Sequence, residues 1–132
     1  MVVPSVHYIN RKEFEEVEGV YRIISDSVNN TFAYIELANR KYYIGYSSSE
    51  IIKVDLMLLE KKNYLLVGVD LKVVVLSTTI GSILFSLGLF SYFKGFEDTN
   101  ELVFTIFTEL EDIQVNKNGL SISQTISHDL EF

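Results

Sequence analysis

Six carboxylates crowd into the second half of this chain, and their spacing decides what chemistry they can do. Glu97, Asp98 and Glu101 form one group, and Glu109, Glu111 and Asp112 form another. Paired carboxylates can cleave a glycosidic bond or hold a divalent cation. Neither group has the Asp-x-Asp-x-Asp-Gly spacing of a calcium loop. The two histidines, His7 and His128, sit near opposite ends of the sequence, with nothing in their spacing that indicates a metal pair or a general base. Ser127-His128-Asp129 places triad residue types in a row, but neighbours on a strand point to opposite faces and cannot relay a proton. The chain has no Cys, no phosphate-cradling glycine loop and no serine nucleophile elbow. It reads as a non-enzyme without cofactor or metal.

Binding suits these acids better. Residues 1–72 carry ten acids and nine bases, whereas residues 73–132 carry eight acids and only Lys94 and Lys117. A negative face of this kind is either a solvated surface or a device that steers a basic partner. Direct nucleic-acid binding is disfavoured, since it calls for a clustered basic surface. Aromatic residues gather beside the acids: Phe85, Phe90, Tyr92, Phe93 and Phe96. Most belong in a core, but Tyr92, Phe93 and Phe96 flank Gly95 next to Glu97-Asp98. Aromatic anchors rimmed by acids make a protein-binding patch. The predicted partner-binding residues are therefore Glu97, Asp98, Glu101, Glu109, Glu111, Asp112, Tyr92, Phe93 and Phe96.

Strands must position them. The chain has 132 residues, 48% hydrophobic and 22% charged, which predicts one folded domain with a sizeable core rather than a disordered segment. Nine Phe and eight Tyr, with many Val and Ile, favour strands. Asn10 and Glu13 form a capping-box pattern for a short helix over 11–18, stopped at Gly19 and packed by Phe14 and Val17. Strands are predicted at 20–28 and 31–38 as a hairpin across Asn29-Asn30, then at 41–46 and 50–56 with a Ser47-Ser48-Ser49 turn. Further strands follow at 64–69, 72–77, 82–87, 102–108, 111–115 and 120–126, with 90–95 as an aromatic strand or packed loop. Residues 73–93 carry no charge, but eight of them are Ser, Thr or Gly, so two buried strands and a turn are predicted rather than a membrane span. The first residues have no basic segment followed by a long apolar one, so no signal peptide is expected.

The stretch Asn63–Leu87 recurs in pattern at Asn100–Gln124, a spacing of roughly 40 residues that suits a propeller blade. Tyr64, Val67-Gly68, Asp70, Val73 to Leu76, Gly81 and Phe85 resemble a blade of the quinoprotein-type β-propellers, with Phe85 where those repeats usually carry Trp. The second copy keeps Gly119 but has Thr105 for the first glycine, and Lys41 to Asp55 matches only the first two strands. The resemblance implies a mainly β fold, an antiparallel meander resembling about two to three blades of a partial propeller, with a short N-terminal helix. It does not imply the quinone cofactor.

In size, acidity and lack of a catalytic constellation the chain is similar to bacterial immunity proteins. That likeness implies a cytoplasmic protein that neutralises a cognate toxin, a basic nuclease whose cleft the acids would fill. The alternative is a propeller-like scaffold or sensor that binds a host-cell protein or a small ligand. Unclosed blades also leave sheet edges exposed, which makes a second copy of the chain a candidate partner.

Overall fold

The computed structural model describes residues 3–16, 21–25, 31–46 and 54–128. The protein is mainly β, with three four-stranded sheets and one short α-helix among the described residues. The chain divides into two compact units, residues 1–54 and 55–132.

The first unit contains β1 (Ser5–Ile9), α1 (Arg11–Glu16), β2 (Tyr21–Ser25), β3 (Thr31–Leu37) and β4 (Arg40–Tyr46). Asn10 starts the helix as its spacing predicts: its side-chain oxygen accepts from the Glu13 amide at 2.8 Å. Phe14 is the buried helical residue, its ring 4.8 Å from that of Phe32. The exposed pairs Arg11–Glu15 and Lys12–Glu16 add little to that contact. Val17, Gly19, Asn29-Asn30 and the Ser47-Ser48-Ser49 turn lie outside the described residues, as do residues 50–53 of the strand predicted at 50–56.

The predicted hairpin between the second and third strands is not formed. Strand β3 is paired on one side with β1 and on the other with β4, so β2 takes the free edge of β4 and runs parallel to it. Strand β1, absent from the sequence reading, occupies the place that reading gave to β2. A tight turn at Ala38-Asn39 joins β3 to β4, with φ of 49° and 67° at the two residues.

The second unit is two antiparallel meanders in simple order. The first is β5 (Asp55–Leu59), β6 (Tyr64–Val69), β7 (Lys72–Ser77) and β8 (Ile83–Gly88). The second is β9 (Phe93–Glu97), β10 (Val103–Thr108), β11 (Glu111–Asn116) and β12 (Ile122–Ser127). They stack face to face through one core, in which Leu59, Leu66, Val73 and Val75 meet Phe104, Ile106, Ile113 and Val115. Strands β6 and β7 are buried on both faces, which explains why their sequence is a continuous apolar run and not an alternation. The uncharged stretch from Val73 is thus β7, a turn, β8 and the link to β9. No helix among the described residues is long and apolar enough to cross a membrane.

Gly68 permits a close approach between the sheets. A Cβ there would lie 2.4 Å from Cζ of Phe93, so the bare backbone of β6 is the seat of that ring.

Candidate protein-binding end of the second unit

Antiparallel meanders bring their turns together at two opposite ends, and the second unit divides the predicted site between them. Glu97, Asp98 and Glu101 lie where β9 passes into β10, whereas Glu109, Glu111 and Asp112 lie where β10 passes into β11. The six residues of β10 separate the groups by about 20 Å.

At the first of these ends one acid, Asp98, serves the structure. Lys117 follows β11, and its side chain is only 10% exposed. Its Nζ donates to Asp98 Oδ1 at 2.5 Å and to the Asn100 carbonyl at 2.6 Å. The Asn100 side chain in turn accepts from the amides of Leu102 and Val103, at 2.8 and 3.0 Å. Tyr64 donates its hydroxyl proton to the Lys117 carbonyl at 2.9 Å, which ties the first sheet into the same corner. Asp98 is thereby committed to an ion pair, while Glu97 and Glu101 remain exposed on either side.

The opposite end has a different character. The turn at Asp70-Leu71, the link 89–92, the turn at Glu109-Leu110 and His128 all meet there. The link alternates strictly: Leu89 and Ser91 are buried, Phe90 and Tyr92 exposed. Phe90 is 95% exposed, although it sits in the middle of a folded unit. It does not hang on a loose loop. The Leu89 amide donates to the Leu71 carbonyl at 2.7 Å, and the Phe93 amide to the Asp70 carbonyl at 2.8 Å. The Glu109 amide donates to the Tyr92 carbonyl at 3.0 Å.

Beneath the link lies a small lattice of hydroxyls. Ser91 donates to Thr108 Oγ1 at 2.8 Å and accepts from the Leu110 amide at 3.2 Å. Thr108 Oγ1 donates to the Glu111 carbonyl at 2.9 Å and accepts from the Glu111 amide at 3.0 Å. Ser91 and Thr108 are both buried, so these bonds are shielded from water and hold the link on the β10–β11 turn.

Around Phe90 this end also exposes Leu71, Tyr92 and Leu110, with the Glu109 side chain in solvent and Glu111 half-buried. Asp112 is paired, its Oδ1 2.7 Å from His128 Nε2. Of the predicted aromatics, Tyr92 belongs to this surface. Phe93 and Phe96 turn inward instead, packed on the core with ring centroids 4.7 Å apart.

Among the described residues no three His, Asp or Glu side chains converge as a metal site would need. His7 is 2.9 Å from the Ser5 hydroxyl and stacks on Tyr34 at 4.8 Å, within the first unit. Asp129 of the Ser-His-Asp run lies outside the described residues. Neither a protein-family model nor a curated protein matches the chain.

Leu71, Phe90 and Leu110 are the residues of this surface that sequence reasoning missed. A large apolar side chain defaults to the core, and Leu-Phe-Ser-Tyr taken as a strand would turn Phe90 and Tyr92 inward and Ser91 outward, the reverse of what is found.

Proposed function

We propose that this chain is a non-enzymatic protein-binding module that engages its partner through the Phe90 end of its second unit. The supporting observation is the presentation of Phe90: almost wholly exposed, on a link fastened by backbone and buried-hydroxyl hydrogen bonds. An anchor held in its binding conformation loses little entropy on association, and exposed aromatics of this kind carry most of the energy of an interface. Glu109 and Glu111 supply the acidic rim, and the negative excess over residues 73–132 favours a basic partner.

In its most concrete form the module is a bacterial immunity protein, acting in the cytoplasm against a basic nuclease toxin. Phe90 enters an apolar recess in the toxin, and the carboxylates of Glu109 and Glu111 stand in for nucleic-acid phosphate. The two stacked meanders are similar to adjacent blades of a partial propeller, used here as a rigid scaffold. Capturing the partner from native cells and measuring association rates against salt tests this reading. Glu109→Gln/Glu111→Gln should flatten the salt dependence. An unchanged slope would count against the acidic rim.

A second reading, a sensor of small ligands, is favoured by a separate feature. A cleft of about 760 Å³ opens at the Lys117 end, with Leu58, Leu59, Lys61, Lys62 and Glu101 among its lining residues. Thermal stabilisation of the protein by a small ligand, lost in Lys61→Ala, would support that reading.

A further inference from the structure

We propose that β12 pairs edge to edge with β12 of a second copy of this chain, joining two second units into one continuous sheet. The strand ends its sheet, and all six of its residues are exposed. Exposed edges are normally guarded by charge or proline. This one, Ile-Ser-Gln-Thr-Ile-Ser, has neither, although the chain carries a net charge of −7. A copy of the strand therefore meets no like charge along it, and a basic partner gains no attraction there.

The backbone phase sets the register. The His128 amide donates to the Leu110 carbonyl at 2.8 Å, continuing the register in which Asp112 faces Ile126 and Gln114 faces Gln124. Hydrogen-bonded pairs alternate along an antiparallel ladder, so Ile126 and Gln124 turn their backbone groups toward β11. Thr125 and Ser127 turn theirs outward. A two-fold axis through Ile126 sets Thr125 of each copy against Ser127 of the other, which gives four N–H···O bonds. Ile126 then meets Ile126 at the axis, a favourable β-branched cross-strand pair. The bulge opposite Gln114 and Val115 lies at the far end of β12 and stays outside this ladder. So short a ladder buries much less than a standard interface, so the dimer forms only at high protein concentration.

Sedimentation velocity from about 10 µM to about 1 mM tests this. The native protein should approach twice the monomer mass at the upper end. Ile126→Lys places two ammonium groups together at the axis, and Thr125→Pro removes an outward N–H without touching the ladder to β11. Both variants should remain monomeric throughout, with native circular dichroism and melting. A native protein that stays monomeric across the range would overturn the proposal. So would dimerisation of either variant to the native extent, which would place the contact elsewhere.

Discussion

Phe93 occupies the space where a residue other than Gly68 would carry its side chain. Gly68→Ala should therefore force the ring off β6 and destabilise the protein by about 1–3 kcal/mol, read by urea denaturation. Phe93→Leu in the same chain should recover part of the loss, and additive losses would show that the contact is not the cause. The Lys117–Asp98 pair predicts an asymmetry. Lys117 is buried, but the Asp98 side chain is 55% exposed. Asp98→Ala strands an ammonium in the interior and should cost about 1–3 kcal/mol. Lys117→Met fills the same space and leaves Asp98 to water, so it should cost less than about 1 kcal/mol. Equal losses would mean that the charge pair contributes nothing beyond packing. Neither role was legible in the sequence, where Gly68 looks like part of a strand-and-turn pattern and Asp98 like one more surface acid. Both depend on which residue another strand brings alongside.

At the scale of elements, β6 and β7 were legible to the residue, because valine and leucine runs bounded by Asp70 and Ser77-Thr78 favour two strands over the membrane span that the uncharged stretch also suggested. The second copy was legible too, within a residue or two at its ends. In the first unit β2, β3 and β4 were legible, but β1 and the pairing were not. Local pattern marks a strand; which edge it takes depends on competitors elsewhere, and β1 won the flank of β3 that a hairpin would have used. The candidate surface shows the same limit, since Phe90 and Tyr92 face outward on a link whose Ser91 is turned inward to Thr108, a partner from another strand. Thr108→Val keeps the shape but leaves the Ser91 hydroxyl and the Glu111 amide without their partner. It should destabilise the protein by about 1–3 kcal/mol and speed hydrogen exchange at the Leu110 and Glu111 amides. Unchanged exchange would show that the hydroxyls do not fasten the link.

At the scale of the whole molecule, Phe90 is the most exposed large apolar side chain among the described residues, and it stands at an end of the second unit that also carries acids. Asp98 builds the Lys117 corner, whereas Glu109 and Glu111 lie at the end that exposes Phe90. The acid-rich character of this half was visible in the sequence, and the strand predicted at 102–108 already parts Glu101 from Glu109; the two groups were nonetheless assigned to one site, although β10 sets them about 20 Å apart. Binding led by such an end should associate quickly at low salt, with the aromatic anchor governing how long the complex lasts. The most direct test compares one apolar truncation at each end, Phe90→Ala and Leu102→Ala, against the partner captured from native cells. Leu102 is also strongly exposed, so the two changes differ mainly in place. Phe90→Ala should raise the dissociation rate roughly 30-fold, equivalent to about 2 kcal/mol, with Leu102→Ala near native. Native dissociation in Phe90→Ala, or an equal loss in both variants, would contradict the account.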